Sequence, residues 1–218
     1  MLPYDTEAFF ALFQRYLDDS GNLIWIAPLL SVVGCLLLMQ RGAILRRLGA
    51  TLLALAWLWI GWVFHGHYFA QINFAAPVYA GLFIAEAALL LWQGALLDRI
   101  AVRWNGRITD WIAIVLAVLA LIVFPLSDYL AGQPLSGVRT VGLAAAPTAL
   151  LTIGILLVAV EPVPRQLVVI PFIWTCVSGF SGWVLSIPHD LLLPLPAAVG
   201  LVAMIARHRG YRRHTSQT

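Results

Sequence analysis

Residues 48–64 form one uninterrupted apolar run, LGATLLALAWLWIGWVF, without a charged side chain. A membrane-spanning helix needs about 20 mostly apolar residues, with a tolerated range of roughly 17–25. Because lipid offers the backbone no hydrogen-bond partner, such a segment has to be helical. The run therefore predicts a transmembrane helix.

Six further stretches share this character. They are 23–40, 77–97, 111–126 (extendable to 129), 138–160, 167–187 and 191–206. Only 11% of the 218 residues are charged, whereas a soluble domain usually carries about 25%. We predict an all-α integral membrane bundle of seven transmembrane helices, with the last two joined by the short turn at 186–190. The alternative for that turn is a break within a single helix.

The arginines predict the orientation of the bundle. All 13 basic residues are arginine, and positive residues stay on the cytoplasmic side during insertion. With seven spans and the amino terminus outside, only Arg15 and Arg139 fall on the outer side. The inner segments hold Arg41, Arg46, Arg47, Arg99, Arg103, Arg107, Arg165, Arg207, Arg209, Arg212 and Arg213. This asymmetry favours an outer amino terminus and a cytoplasmic carboxyl terminus.

The chain divides into an amphipathic segment (1–20), the transmembrane domain (21–207) and a basic cytoplasmic tail (208–218). Within the first, Phe9, Phe13 and Tyr16 recur at helical spacing. This short helix either lies on the outer membrane surface or packs as a lid over the bundle.

Composition also excludes some chemistry. Because the chain has no lysine, it cannot form a lysine Schiff base. Because topology explains the arginines, the positive charge does not indicate nucleic acid binding, and the partner that the chain certainly meets is the lipid bilayer. Cys35 and Cys176 lie in apolar runs and are expected to be packed, unpaired thiols.

A polar group is predicted at the outer rim, where the second span leads into a loop rich in polar side chains. Its residues are His65, His67, Tyr68 and Asn73, and the same end carries Ser127, Asp128, Tyr129, His189 and Asp190. Imidazole and carboxylate together can bind a transition metal, which makes His65, His67, His189 and Asp190 a candidate metal site. The alternatives are recognition of a polar substrate, with Tyr68 and Asn73 contributing, or interfacial side chains without a site.

A second polar group is predicted near mid-membrane. Glu86 lies nine residues into its span, and an acid at that depth costs about 3 kcal/mol on insertion scales unless it faces the bundle interior. Thr148, Thr152 and Ser178 lie at similar depth on other spans. These residues form either a substrate- or proton-linked layer or polar contacts between packed helices.

The sequence resembles a known family at Trp57-x-Trp59-x-Gly61-x-x-x-His65, Phe69, Ile72-Asn73 and Ala75-Ala76. Later matching points are Ala146-Pro147-Thr148, Pro171 and Asp190. The family consists of small bacterial polytopic membrane proteins of unknown function, loosely labelled permeases. The resemblance implies a multi-pass protein of the bacterial inner (cytoplasmic) membrane. It implies no activity and no cofactor.

Three functions compete. The first is binding or transport of a small solute from the outer face toward Glu86. The second is an accessory or assembly subunit, with membrane-protein partners or a second copy of the chain. The third is a membrane enzyme with a metal at the outer face. A polar tunnel from the rim to Glu86 would favour solute binding or transport. A filled core would favour an accessory subunit, and imidazoles that converge within a few ångströms would favour a metalloenzyme.

Overall fold

The computed structural model describes residues 3–160, 164 and 166–215, with side chains described up to residue 207. Within this part of the chain the regular secondary structure is helical, apart from one isolated bridge between Val102 and Ala159. The predicted all-α class is confirmed. The cytoplasmic loop expected around Arg165 lies largely outside the described residues.

The described residues form ten α-helices. These are α1 Thr6–Ser20, α2 Leu23–Leu38, α3 Ala43–Trp59, α4 Ala76–Leu90, α5 Ile108–Val118, α6 Phe124–Leu130, α7 Ala145–Leu157, α8 Gln166–Val184, α9 Pro188–Leu191 and α10 Pro194–Thr215. Three of them continue as π-helical turns: α3 through Ile60–Tyr68, α4 through Leu91–Leu96, and α5 through Leu119–Val123 into α6.

In the described part of the chain, five helical stretches are long and apolar enough to cross a membrane. They are Ala43–Gln71, Ala76–Leu96, Ile108–Leu130, Gln166–Val184 and Pro188–Arg207. The pair α1 and α2 forms a sixth candidate, bent by 85° at its break. A multi-pass membrane bundle follows, but length and apolarity do not establish the expected number of seven.

Helix α7 departs from the predicted span at 138–160. It has only 13 residues, or about 20 Å at 1.5 Å per residue, and residues 138–144 before it are mostly buried non-helical backbone. Every residue of α7 is buried. Irregular backbone at membrane depth is tolerated where protein surrounds it, so this central helix begins inside the bundle rather than at its surface.

Helix α1 packs against protein. Asp5 caps it by accepting a hydrogen bond from the Ala8 N–H at 2.8 Å. Its apolar face is buried, and the Tyr16 hydroxyl donates to the Leu143 carbonyl at 3.2 Å and accepts from Trp59 Nε1 at 2.8 Å. Of the two interpretations of this segment, the structure agrees with the second: α1 packs as a lid over one end of the bundle.

Helices α8 and α10 form a hairpin rather than one broken helix. A Cβ at Gly182 would lie 2.5 Å from the Asp190 Cβ, and one at Gly179 would lie 2.4 Å from Pro194. The two glycines therefore allow α9 and α10 to pack back against α8.

The two cysteines are free thiols in the described structure, as expected. Cys35 on α2 is half-buried, whereas Cys176 on α8 is exposed and is therefore not packed as predicted.

Candidate functional site

His65 is the centre of the candidate site. It lies on the π-helical continuation of α3, a local geometry that is frequent at functional sites. Its side chain is fully buried, with the Phe83 and Trp174 rings each 4.8 Å and the Tyr79 ring 5.8 Å from its own ring centre. Neither ring nitrogen has a hydrogen-bond partner among the described residues. Since buried polar groups are nearly always paired, this imidazole calls for an explanation.

A cavity adjoins the His65 ring. It offers ≈ 60 Å³ to the centres of water-sized molecules, and about 10–15 Å³ is enough for one water. We call it the histidine cavity. Its walls comprise Tyr4, Phe9, Phe13, Phe64, His65, Phe69, Tyr79, Arg139, Ala144, Ala145, Ala146, Trp174, Val177, Ser178, Ser181, Leu185 and Asp190. The buried histidine thus borders a space that can hold a few atoms of a polar molecule.

The amino terminus of α7 opens into this cavity. Ala144 precedes the helix in an extended conformation, and no side chain caps it. Among the described residues the amide N–H groups of Ala145 and Ala146 have no acceptor. The first amides of a helix point away from it and carry partial positive charge. Ala145 and Ala146 also line the cavity, so its wall on the α7 side contains two backbone donors without an acceptor in the described chain.

A buried ion cluster forms the rim side of the site. Arg139 donates to both oxygens of Asp128 at 2.7 and 2.9 Å, and to Asp190 Oδ2 at 2.7 Å. Nε2 of His189 lies 2.7 Å from Asp128 Oδ1 and 2.6 Å from Arg139 Nη2, so its tautomer decides whether it donates or accepts. Asp190 Oδ1 has no hydrogen-bond partner within the described chain. One cation and two carboxylates thus meet beside the cavity.

Helix α1 and the residues before it form one wall of the cavity. Phe9 and Phe13 belong to its lining, and the Thr6 hydroxyl ties α1 to the Leu185 carbonyl at 2.6 Å. Burial raises the pKa of the Tyr4 phenol to about 12, so this side chain is a neutral hydroxyl at physiological pH. Entry to the cavity from this side requires α1 to move.

The structure brings only some of the predicted rim residues together. His65 and Asp190 both line the cavity, whereas His67 is exposed. Asn73 is buried but accepts from the Ala75 N–H at 2.9 Å, and the Tyr68 hydroxyl donates to Asp19 at 2.8 Å. Asn73 and Tyr68 therefore stabilise local structure rather than line the cavity.

The four predicted metal ligands do not converge, although His189 and Asp190 lie in the same ion cluster. His189 is engaged with the ion cluster, and His67 points away from the bundle. Among the described residues, no three His, Cys, Asp or Glu side chains are placed to hold a metal ion. Convergence of His65, His67, His189 and Asp190 on one ion is therefore not observed.

The predicted mid-membrane layer is divided as well. The Thr148 hydroxyl donates to the Ala144 carbonyl at 2.7 Å, and Thr152 donates to Thr148 at 2.8 Å and accepts from Trp57 at 3.0 Å. These threonines hold α7 and α3 in place. Ser178 belongs to the histidine cavity instead. Glu86 is fully buried, and neither carboxyl oxygen has a partner in the described structure.

Sequence reasoning missed three parts of the site: Arg139, Trp174 and the start of α7. One signal pointed to Arg139, because it was one of only two arginines that the predicted topology left outside. No sequence signal marks Trp174 among nine tryptophans. The start of α7 lies inside the apolar run 138–160, which by itself predicts one continuous span.

Comparison with known proteins adds a family and no activity. No curated protein and no solved structure matches the chain. The model of a family of unknown function (DUF6064) matches residues 6–215. The chain belongs to this family, the family of unknown function DUF6064.

Proposed function

We propose that the protein binds a small polar solute in the histidine cavity. The observation that carries the proposal is the fully buried His65 side chain, whose two ring nitrogens lack a partner in the described chain and which belongs to the lining of a cavity. A buried polar group without a hydrogen bond costs about 1–3 kcal/mol. A bound solute that pairs with the imidazole would recover this free energy.

The proposal extends to passage of the solute from the outer face toward Glu86, in a bacterial cytoplasmic membrane. Tyr79, Phe83 and Glu86 follow at spacings of four and three on α4, so they share one helix face. The Phe83 ring lies 4.8 Å from His65 and 4.5 Å from Trp57, between the cavity and the deeper bundle. Movement of the solute toward Glu86 would therefore require Phe83 to change rotamer.

The same aromatic packing favours a second candidate function. Phe83 and Trp57 are both fully buried, and Glu86 does not line the cavity. A core that is filled between the cavity and Glu86 suits a protein that binds a solute, or a membrane partner, without transporting it. An accessory subunit is therefore the alternative to transport.

The test is thermal unfolding of the protein in lipid nanodiscs with a panel of small solutes. The panel comprises urea, acetamide, formate, acetate, methylammonium and glycine. At one hundred times its Kd a solute stabilises the folded state by about 2.7 kcal/mol. We expect at least one solute to raise the Tm of the wild type but not of His65→Phe. This substitution keeps an aromatic ring at the position and removes both ring nitrogens.

The matched control is His67→Phe, on the same π-helical segment but exposed. It should respond to the solute as the wild type does. The proposal fails if no panel member stabilises the wild type, or if His65→Phe is stabilised to the same extent.

A further inference from the structure

The geometry points to a small monovalent anion, a carboxylate or an oxoanion, as the solute of the histidine cavity. This inference rests on the proposed function and adds the chemical class of the solute. It follows from the excess of hydrogen-bond donors in the walls, from the charges at the rim and from the size of the space.

The start of α7 supplies the first donors. Ala145 and Ala146 line the cavity, and their N–H groups have no acceptor in the described chain. Backbone amides at a helix amino terminus, together with the helix dipole, favour an anion. Both alanines are buried, so bulk water has little access to these amides.

Two side chains supply further, independent donors. Trp174 is 8% exposed, and its Nε1 has no partner among the described residues. An indole N–H can only donate, and an imidazole carries at least one N–H in any protonation state, so Trp174 and His65 both require an acceptor. The Ser178 hydroxyl lies in the same wall. The residues that carry these hydrogen-bond donors thus line the cavity from three elements: α7, α8 and the π-helical continuation of α3.

The rim limits the charge of the anion. Asp190 Oδ1 has no hydrogen-bond partner among the described residues, and the Arg139 guanidinium holds the other carboxylate oxygen at 2.7 Å. With Asp128 included, the cluster holds two carboxylates against one guanidinium, together with the His189 imidazole, which adds a positive charge only when protonated. Because repulsion from a carboxylate grows with the charge of the ligand, a divalent anion is disfavoured more strongly here than a monovalent anion on the donor side.

Size narrows the class further. A space of ≈ 60 Å³ for water-sized centres exceeds the roughly 10–15 Å³ that one water requires, and it equals about two waters at their liquid share of roughly 30 Å³ each. Formate, acetate and nitrate have three or four non-hydrogen atoms and fit. Longer dicarboxylates do not.

The competing ligand class is a small ammonium ion. Aromatic rings and the free Asp190 oxygen could hold such a cation through cation–π contacts. An ammonium has no acceptor, however, so the donors at Trp174, Ala145 and Ala146 would stay unpaired. The donor excess therefore favours the anion.

Isothermal titration calorimetry of nanodisc-embedded protein tests the inference. Titrants are sodium formate, sodium acetate, sodium sulfate, acetamide and methylammonium gluconate, in a chloride-free gluconate buffer. Trp174→Phe keeps the ring packing but removes one donor. Ala145→Pro removes one amide at the first helical position, where proline is tolerated. The control is Trp183→Phe, on the same helix but 67% exposed.

We expect formate or acetate to bind the wild type and Trp183→Phe equally. A hydrogen bond to a charged group contributes about 1.5–3 kcal/mol, and each 1.4 kcal/mol is about tenfold in affinity. Trp174→Phe and Ala145→Pro should each bind at least about tenfold more weakly. Sulfate, acetamide and methylammonium should bind more weakly than the monovalent anions. The melting temperature of each variant shows whether it is folded.

Three results would overturn the inference in different ways. If methylammonium or acetamide binds in a His65-dependent manner and the anions do not, solute binding stands and the anion class is wrong. If no titrant binds the wild type, the proposed function fails with it. Equal anion affinity in wild type, Trp174→Phe and Ala145→Pro would also refute the donor assignment.

Discussion

Arg139 and Asp128 are joined by three hydrogen bonds in a buried setting. The Arg139 backbone N–H and Nε each donate to Asp128 Oδ2 at 2.9 Å, and Nη2 donates to Oδ1 at 2.7 Å. The Asp128 side chain is fully buried, and that of Arg139 is 4% exposed. The pair fixes the non-helical segment that precedes α7 against the end of α6, and so positions one wall of the histidine cavity.

Loss of the Arg139 charge should destabilise the fold. Arg139→Met leaves Asp128 and Asp190 buried without a counter-charge, and breaking a buried pair in this way costs about 3–5 kcal/mol. Reversible unfolding in detergent mixtures measures the change. Arg15→Met is the control, because the Arg15–Asp19 pair is exposed at 3.9 Å and should contribute less than about 1 kcal/mol. Equal losses in the two variants would show that the cluster is not structural.

Close contact of α2 and α3 at Gly49 gives a second prediction. A Cβ at Gly49 would lie 2.6 Å from the Gly34 carbonyl oxygen and 2.9 Å from the Leu38 nitrogen, both backbone atoms. Gly49→Ala should therefore cost about 1–3 kcal/mol through overpacking. Gly81→Ala on α4 is the matched control, since no atom lies within 4 Å of its added Cβ. The same unfolding assay compares them, and a stable Gly49→Ala would mean that the helices pack less closely.

Glu86 should be dispensable for stability and required for passage. Neither carboxyl oxygen has a partner in the described chain, so Glu86→Gln removes no protein hydrogen bond and should change the unfolding free energy by less than about 1 kcal/mol. Calorimetry should find cavity binding unchanged, while flux of the stabilising solute into proteoliposomes should be lost. Exposed Glu7→Gln is the control. Undiminished flux in Glu86→Gln would remove Glu86 from the proposed route.

Orientation can be checked by labelling in intact cells. In a background carrying Cys35→Ala and Cys176→Ala, His67→Cys should react with a membrane-impermeant maleimide. Arg103→Cys should react only after permeabilisation, because the arginine asymmetry places it inside. Both positions are exposed, so access rather than burial decides the outcome. Reaction at position 103 in unpermeabilised cells would refute the predicted topology.

Part of the candidate site was foreseeable. Depth along a helix follows from counting residues, which is why Asp128, His189 and Asp190 were expected at one end, and hydrogen bonds join them there. Partner choice does not follow from counting. Thr148 and Thr152 share a face of α7 as expected, yet their hydroxyls bond to the helix backbone and Thr152 accepts from Trp57 rather than meeting Glu86.

The sequence alone determined that this protein is an all-helical membrane bundle, and it located most of the helices. The reason is local: an apolar run without charges partitions into lipid, and its backbone must then bond within a helix. Only the tertiary structure decided that α1 covers the bundle, that α7 begins inside it, and that His65, beside a cavity, has no hydrogen-bond partner among the described residues. Those features depend on which faces of distant helices pack together, and apolar faces that contact protein or lipid look alike in sequence.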